Sequence, residues 1–267
     1  MKKAILALIL VLVVWVLWAN TAIEVNEWVI ESPQLPPQFD GFRIAQISDL
    51  HNAEFGAQNE KLLKLLAESE PDLIVITGDM IDSRNTDVET ALSFAEMAVE
   101  IAPCYYVSGN HESRVDGWVT LRQGLVDAGV IVLDDEKTTL ERDGQAITLI
   151  GLSDPDFRQP FADHLRALTA SEEGFTILLS HRPESFGLYI SCGVDLVFSG
   201  HAHGGQVRIP FVGGLVAPHQ GFFPEYDSGL YREDSTAMLV SRGLGNSIVP
   251  LRINNRPEVI VAILKKT

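Results

Sequence analysis

Apolar runs of strand character alternate with segments of helical periodicity over most of this chain. The runs FRIAQIS (42–48), LIVIT (73–77) and CYYVS (104–108) are followed by amphipathic segments at 58–68, 87–101 and 117–128. Strands that alternate with helices at this spacing predict parallel crossover connections. We therefore expect an α/β fold.

The second half of the chain continues with shorter runs. Those at 130–133, 138–141 and 147–150 have the spacing of hairpins, and a further helix is predicted at 161–170. Strands are then predicted at FTILLS (175–180), DLVFS (195–199), TAMLVS (236–241) and EVIVAIL (258–264). No internal repeat or domain boundary follows residue 41, so residues 41–267 are expected to form one domain.

The N-terminus carries a separate signal. After Lys2 and Lys3, residues 4–19 (AILALILVLVVWVLWA) contain no charged or polar side chain, and Trp15 and Trp18 stand near the far end. Extended through Ile23, the segment has about the 20 residues needed to cross a bilayer core, and tryptophans suit its interface. A cleaved secretory signal is the alternative, but the run is longer than a usual signal core and lacks a small-x-small site. We expect residues 1–23 to be a membrane anchor.

Charges around this segment predict its orientation. Lysines precede it and Glu24, Glu27 and Glu31 follow it, which favours a cytoplasmic N-terminus and an extracytoplasmic domain in a single-pass membrane protein. Residues 31–42 (ESPQLPPQFDGF) are rich in proline, so residues 24–40 are expected to form a semi-rigid linker.

Net charge and cysteine content exclude some classes of function. The net charge of −16 argues against general nucleic-acid binding, which requires a basic surface. Cys104 and Cys192 could pair or remain buried thiols, and neither has metal-site spacing. No feature indicates an obligate protein partner.

Five of the predicted strands are each followed by polar side chains of one kind. The sequences after them are DLH (49–51), GD (78–79), GNHE (109–112), H (181) and GHAH (200–203), and they hold five of the seven histidines. Each motif alone could be a turn or a helix cap. Together they predict a functional site, because groups at the carboxyl ends of strands meet at one edge of an α/β sheet.

The residue types in these motifs indicate metal binding. No thiolate is present, which disfavours structural zinc and iron–sulfur sites, whereas imidazoles and carboxylates suit Mn, Fe or Zn. The candidate ligands are Asp49, His51, Asp79, Asn110, His181, His201 and His203. Seven ligands are too many for one tetrahedral ion but fit two divalent or trivalent ions that share a carboxylate.

The segment SGHAHGGQ (199–206) places two of these histidines close together. If it is extended, residues i and i+2 point to the same face, so His201 and His203 can reach adjacent ions. Gly200, Gly204 and Gly205 would allow positive φ angles and a close approach of the backbone to the ions.

The order of these five motifs resembles that of the calcineurin-like metallophosphoesterase superfamily. Within it, GHAHGGQVRIP (200–210), SRGLG (241–245) and RINNRPEV (252–259) resemble the membrane-associated bacterial branch of YkuE/YaeI-like phosphodiesterases. The resemblance extends from about residue 41 to the C-terminus. It implies a four-layer αββα sandwich of two mixed β-sheets flanked by helices, with the metal site at the carboxyl ends of the strands.

The resemblance also implies a ligand set and a reaction. The first ion would be held by Asp49, His51 and His203, and the second by Asn110, His181 and His201. Asp79 would bridge the two ions. The implied reaction is hydrolysis of a phosphate ester, with diesters favoured, by in-line attack of a hydroxide that bridges the ions.

Two further residues receive roles from the resemblance. His111 would face the scissile phosphate and protonate the leaving oxygen, a task that suits an imidazole. Asp82 matches an aspartate that orients this histidine in some relatives. The surrounding GDMIDSR (78–84) departs from the protein-phosphatase pattern, in which Arg and Gly follow directly. This departure puts the role of Asp82 in doubt and disfavours a phosphoprotein substrate.

The substrate class and two alternative functions remain open in the sequence. A membrane-tethered hydrolase could act on a phospholipid, a lipid-linked sugar phosphate or a cell-wall phosphodiester. A UDP-2,3-diacylglucosamine pyrophosphatase of lipid A synthesis is disfavoured because its substrate lies on the cytoplasmic face. A non-catalytic metal scaffold is disfavoured because every ligand position and His111 are present. The aromatic residues Phe211, Phe222 and Phe223, in a long loop, could contact lipid or pack on the core.

Overall fold

The computed structural model describes residues 2–157, 160–246 and 251–267. Two six-stranded mixed sheets form its centre. The first has the order β1-β16-β2-β3-β4-β5, with bounds Glu24–Ser32 (β1), Arg43–Ile47 (β2), Leu73–Thr77 (β3), Cys104–Val107 (β4), Ile131–Val132 (β5) and Glu258–Lys266 (β16). The second has the order β14-β15-β9-β8-β7-β6, with bounds Glu136–Arg142 (β6), Gln145–Leu152 (β7), Thr176–Ser180 (β8), Leu196–Ser199 (β9), Gly229–Glu233 (β14) and Thr236–Val240 (β15).

Helices and short hairpins complete the described fold. The helices are Lys2–Thr21 (α1), Glu60–Glu68 (α2), Val88–Ala98 (α3), Trp118–Asp127 (α4), Phe161–Thr169 (α5) and Phe186–Ser191 (α6). Two-residue strands form two hairpins, Arg208–Ile209 (β10) with Gly213–Gly214 (β11) and Val216–Ala217 (β12) with Gly221–Phe222 (β13). Single-turn 3₁₀ helices lie at Pro37–Phe39, Ala57–Asn59, Glu112–Arg114, Pro155–Phe157, Pro183–Ser185 and His203–Gly205.

Three apolar clusters show how these elements are layered. The central cluster packs residues of the first sheet, such as Val75, against residues of the second, such as Phe198. A second cluster buries Leu62 of α2 and Leu121 of α4 against the first sheet, and a third buries Leu165 of α5 against the second. The helices bury one face because their leucines recur at helical spacing. The αββα sandwich expected from the resemblance is therefore confirmed.

Strand direction sets the position of the site. In the first sheet β2, β3, β4 and β5 run parallel, and in the second β7, β8, β9 and β15 do so. The edge strands β6 and β14 are antiparallel to their neighbours. The predicted hairpin exists for β6 and β7, but the run at 130–133 joins the first sheet as β5 instead.

The segment after the N-terminal helix differs from the predicted linker. Residues 24–32 form β1, which pairs in parallel with β16 over nine residues, and Phe39 is buried. The residues Val25, Val29 and Ile30 give β1 strand propensity. Only the stretch from Pro33 to Gly41 has the irregular backbone that the prolines indicate, so residues 24–32 are part of the domain.

Helix α1 is long and apolar enough to cross a membrane by length and composition. Most of its described side chains are exposed, but its last turn contacts the domain. The side-chain amide of Asn20 donates to the Arg252 carbonyl at 3.0 Å and accepts from the Arg252 N–H at 2.8 Å. The Arg256 guanidinium lies 4.6 Å from the Trp18 ring centroid. The C-terminal end of α1 is thus fixed to the segment that precedes β16.

Both cysteines are free thiols, Cys104 buried and Cys192 half-buried.

Candidate metal centre

The carboxyl ends of strands from both sheets meet at one edge of the sandwich. β2, β3 and β4 contribute Asp49, Asp79 and Asn110 from the first sheet, while β8 and β9 contribute His181 and His201 from the second. Hydrogen bonds join the sheets here. The Gln46 amide donates to the Ser199 carbonyl at 2.8 Å, and His181 Nδ1 lies 2.7 Å from the Thr77 carbonyl oxygen. The structure therefore brings the side chains of the five motifs together.

The first group consists of Asp49, His51 and His203. Asp49 Oδ1 lies 3.2 Å from His203 Nε2 and 3.8 Å from His51 Nε2, and the two Nε2 atoms are 3.2 Å apart. All three side chains are buried. Two imidazole nitrogens and a carboxylate oxygen thus converge on one point.

The second group consists of Asp79, His181 and His201, with Asn110 beside it. His181 Nε2 lies 3.2 Å from Asp79 Oδ2 and 3.1 Å from His201 Nδ1. The Asn110 amide lies 2.7 Å from His201 Nδ1. Asp79 Oδ2 is also 3.7 Å from His51 Nε2 in the first group. One oxygen of Asp79 therefore lies between the two groups.

These distances fit bound metal ions. At a metal–ligand distance of about 2.1 Å, neighbouring ligands of an octahedral or tetrahedral ion are about 3.0–3.4 Å apart. Four of the contacts, at 3.1–3.2 Å, fall in this range, whereas the Asp49–His51 contact of 3.8 Å is longer. Two carboxylates buried without a cation would also carry a large desolvation cost. The donor set, imidazole and carboxylate without thiolate, suits Mn, Fe or Zn.

The pKa directions of Asp49, Asp79, His201 and His203 match the protonation states that metal ligands need, whereas that of His181 is opposite. Burial raises the pKa of the Asp49 and Asp79 carboxyls, but the neighbouring histidines outweigh burial and hold both below the usual value. Burial lowers the pKa of His203 to about 3 and, with the charges of neighbouring groups, that of His201 well below its usual value. Burial opposes protonation of His181 too, yet Asp79 raises its pKa to about 10. Where no cation is bound, protons on imidazoles would thus balance the negative charge of the carboxylates.

The backbone at the site is strained. Asp49, His51, Asp79, His201 and His203 all have φ between 45° and 65°, the left-handed region that non-glycine residues rarely adopt. Such strain costs about 1–3 kcal/mol per residue and clusters at functional sites. The prediction that His201 and His203 share one face of an extended segment is therefore wrong. They lie in a turn in which both histidines have positive φ and Ala202 between them is right-handed, and His201 reaches the second group while His203 reaches the first.

Two of the three glycines near this turn have the positive φ that was predicted. Gly204 and Gly205 have φ of 60° and 72°. Gly200 is needed for space instead, because a Cβ atom there would overlap Ser48 Oγ and Asp49 Oδ2. Because Gly200 has no Cβ atom, the His201 N–H can approach Asp49 Oδ2 to 3.1 Å.

His111 lies beside the first group, and a hydrogen bond from Ser83 holds its ring. Its ring centroid is 4.4 Å from that of His51. The Ser83 N–H donates to His111 Nδ1 at 2.9 Å, and the nearest Asp82 oxygen is 3.7 Å from the same atom. Asp82 is instead bonded to Arg84, whose hydrogen bonds outweigh burial and lower the pKa of Asp82 to about 2. Ser83, which the sequence did not single out, is the hydrogen-bond partner of His111.

Glu112 belongs to the predicted motif GNHE, but no role was predicted for it. It is fully buried, and its carboxylate accepts hydrogen bonds from the N–H groups of Asp79, Met80 and Gly109 at 2.8–2.9 Å. Burial and the charge of Asp79 raise its pKa to about 7, against the effect of these bonds. Glu112 joins the loops after β3 and β4, and its place directly after Asn110-His111 was the available signal.

Arg182 and His219 support His201 from outside. Arg182 is 2% exposed and pairs with Asp154 through contacts of 2.5 and 2.8 Å. Its Nη1 lies 3.1 Å from His201 Nε2 and 2.7 Å from His219 Nδ1, and His219 Nδ1 is 2.9 Å from His201 Nε2. Polar groups on the outer nitrogen of a metal-binding histidine orient its ring.

A cavity of about 200 Å³ opens above the two groups. Its lining includes Asp79, Asn110, His111, His201, His203 and His219. Arg84 and Arg114 stand at its rim with side chains about half exposed. The cavity is thus open to solvent, with cationic side chains beside the ligand groups.

Comparison with known proteins identifies a phosphoesterase family and two similar bacterial proteins. A family model described as calcineurin-like phosphoesterase matches residues 42–205. The chain is 35% identical to the uncharacterized metallophosphoesterase YkuE of Bacillus subtilis, over 92% of this chain and 86% of that protein. It is 30% identical to the phosphodiesterase YaeI of Escherichia coli, over 82% of this chain and 80% of that one.

Two further similarities are to a transmembrane protein and to a solved structure. The chain is 29% identical to a zebrafish transmembrane protein with a metallophosphoesterase domain, over 99% of this chain but 63% of that protein. Its fold is similar to that of the protein TT1561 from Thermus thermophilus, with a TM-score of 0.53 at 15% identity over 76% of this chain and 90% of the other.

Proposed function

This chain belongs to the calcineurin-like phosphoesterase family, whose members hydrolyse phosphate esters with bound metal ions, and on this premise we propose that it is a membrane-anchored, two-metal phosphodiesterase. One observation carries the proposal. Two groups of buried ligand atoms share Asp79 Oδ2 at the floor of an open cavity, with His111 at its side. A pair of ions is the arrangement that supports in-line phosphoryl displacement.

The side chains divide between two ions in this proposal. One ion would be held by Asp49, His51 and His203, the other by Asn110, His181 and His201, and Asp79 would bridge them. When bound, the ions lower the pKa of water and neutralise charge on the phosphate oxygens. Mn, Fe and Zn all suit these ligands.

His111 is the proposed proton donor to the leaving oxygen. Because Nδ1 accepts the Ser83 N–H, the neutral ring carries its proton on Nε2. His111 lines the cavity. A positioned imidazole N–H stabilises negative charge as it develops on a leaving group.

Arg84 and Arg114 are proposed to attract the phosphate. Arg84 contacts the carboxylate of Asp82 and Arg114 that of Asp156, and each keeps about half of its side chain exposed. In a chain with a net charge of −16, cations at the cavity rim give a local positive field for an anionic substrate.

Helix α1 is proposed to be a single-pass anchor that places the domain outside the cytoplasm. Among the residues that the structure describes, it is the helix that is long and apolar enough to span a membrane. Lys2 and Lys3 are its first two residues, and Glu24, Glu27 and Glu31 follow it. A phosphodiester of the cell envelope or a lipid-linked phosphate is the corresponding substrate class.

Hydrolysis of bis-p-nitrophenyl phosphate with Mn²⁺ tests the catalytic proposal. Asp79→Asn removes a charged bridging ligand and is expected to lower the rate at least about 100-fold. Asp143→Asn, in an exposed turn, is the matched control and should retain the wild-type rate. Equal background rates for all three proteins would exclude the phosphodiesterase.

Protease accessibility tests the orientation independently. The domain should be digested in right-side-out vesicles and protected in inverted ones. The opposite pattern would place the site in the cytoplasm and make a nucleotide-linked lipid the better substrate candidate.

A further inference from the structure

A neutral segment stands out in this acidic chain. Residues 209–224 (IPFVGGLVAPHQGFFP), here called the apolar loop, contain no Asp, Glu, Lys or Arg, although the chain carries 36 acidic and 20 basic residues. Phe211 is fully exposed, and Phe222, Phe223 and Val212 are exposed by 75%, 61% and 60%. The alternative of core packing is therefore excluded for these side chains.

The backbone of the apolar loop is held in place although its tips are exposed. It contains the hairpins β10–β11 and β12–β13. The Leu215 N–H donates to the Val207 carbonyl at 2.8 Å, and the Gln220 amide bonds to the N–H and carbonyl of Tyr226 at 2.9 Å each. Ordered backbone that presents several large apolar side chains to solvent is typical of an interaction surface.

The base of the apolar loop adjoins the end of the membrane helix. The Arg208 N–H donates to the Ile253 carbonyl at 3.0 Å, and the Asn254 amide donates to the Arg208 carbonyl at 3.3 Å. The preceding residue, Arg252, exchanges two hydrogen bonds with Asn20 of α1. Residues 252–254 therefore hold both the loop and the last turn of α1.

The apolar loop also reaches the catalytic cavity. Pro218 and His219, which join β12 to β13, line the cavity. His219 Nδ1 lies 2.9 Å from Nε2 of His201. The same short segment thus carries exposed phenylalanines and a wall of the site.

We propose that the apolar loop inserts into the surface of the bilayer that α1 spans and holds the catalytic cavity at the headgroup layer. The occupant of this surface is lipid, because the loop is continuous with the proposed anchor and has no charge to desolvate. A second copy of this chain is disfavoured by the repulsion of two net charges of −16. This inference rests on the anchor in the proposed function and extends it to the substrate, a phosphodiester presented at a lipid surface.

Depth-dependent quenching tests the insertion. The full chain, in a Cys192→Ser background, is reconstituted in phosphatidylcholine vesicles with an environment-sensitive fluorophore on Phe211→Cys or Phe222→Cys. The buried Cys104 is shielded from the label. Val119→Cys, on α4 and 75% exposed, is the control. The emission of both loop labels should shift to the blue on reconstitution. It should also be quenched when lipids spin-labelled near the headgroup are included. The emission of the label at position 119 should not change.

High salt should leave the quenching unchanged, because the loop carries no charge. The proposal is overturned if both loop labels behave like the label at position 119. It is also overturned if their emission responds to protein density and not to spin-labelled lipid, since a second copy would then cover the loop.

A kinetic comparison separates this inference from the proposed function. Phe211→Ser/Phe222→Ser/Phe223→Ser should lose activity on a chromogenic phosphodiester lipid in vesicles while retaining the rate on soluble bis-p-nitrophenyl phosphate. Val119→Ser should change neither rate. Absent hydrolysis by wild type would overturn the proposed function, whereas equal lipid hydrolysis by wild type and the triple variant would overturn only the role of the loop.

Discussion

The main-chain N–H of Ser83 donates to Nδ1 of His111 across 2.9 Å, which fixes the orientation of the imidazole beside the ligand groups. The Ser83 hydroxyl lies 3.1 Å from the same nitrogen. Asp82 is 3.7 Å away, and its carboxylate is taken by Arg84. A backbone donor at Nδ1 leaves Nε2 to carry the proton of the neutral ring, so the hydrogen bond at Nδ1 is made without a carboxylate.

Substitutions at positions 82 and 111 should therefore differ in their effects. His111→Asn should lower kcat for bis-p-nitrophenyl phosphate by about 10²–10⁴, the usual contribution of a general acid. Asp82→Asn should lower it less than about 10-fold, because the Ser83 N–H remains. Equal, large losses in both variants would mean that the carboxylate holds the ring during turnover.

Glu112→Gln should destabilise the protein. The carboxylate accepts bonds from the N–H groups of Asp79, Met80 and Gly109, and a glutamine would turn its NH₂ group toward one of these donors. An unsatisfied buried donor costs about 1–3 kcal/mol. Urea unfolding in detergent would measure the change, with Glu141→Gln on the exposed side of β6 as control. Identical midpoints for the two variants would contradict a stabilising role of the Glu112 carboxylate.

Metal removal should lower the melting temperature. Ions that bind only the native ligand groups stabilise the fold by about 2.7 kcal/mol per site when present at 100 times their Kd. Thermal unfolding before and after chelation, and again after Mn²⁺ is restored, would measure the effect. Asp79→Asn should respond less than wild type, because it lacks the shared oxygen. A melting temperature that is indifferent to chelator would argue against ion binding.

Asp134 should make stability depend on pH in an unusual direction. Its carboxylate accepts bonds from the N–H and hydroxyl of Ser108, but burial outweighs them and raises the pKa to about 6. The folded state then binds this proton more tightly than the unfolded state, so the contribution of Asp134 to stability falls as pH rises from about 4 to about 6.

Asp134→Asn keeps an oxygen acceptor and removes the titration. Its stability relative to wild type should increase between about pH 4 and 6.5, by up to about 3 kcal/mol. Urea unfolding at several pH values would show this, and the difference between Asp143→Asn and wild type should stay constant. A difference for Asp134→Asn that does not change with pH would contradict the raised pKa.

The layer structure was predictable because it depends on local patterns. The run LIVIT became β3 at the predicted residues, since five consecutive apolar residues suit a strand buried on both faces. Residues 24–32 were missed because three glutamates interrupt their apolar residues beside a proline-rich segment. Their pairing with β16, more than 200 residues away, decides the structure there.

The candidate ligands were predictable as a set, but the residues that orient the histidine rings were not. Asp49, Asp79 and His201 follow strands directly, so topology alone brings them together. Arg182 and Ser83 act through contacts with rings from other strands, which no spacing in the sequence reveals. The turn at His201 was missed because two histidines one residue apart are also compatible with extended backbone.

Only Ala22 and Ile23 separate the last residue of α1 from the first residue of β1. If α1 spans a bilayer as proposed, this short connection would prevent the domain from rotating freely and from moving far above the lipid surface. Its working height would be constant, so substrates would have to arrive by lateral diffusion within the leaflet. Turnover would then follow the surface density of the phosphodiester and not its bulk concentration.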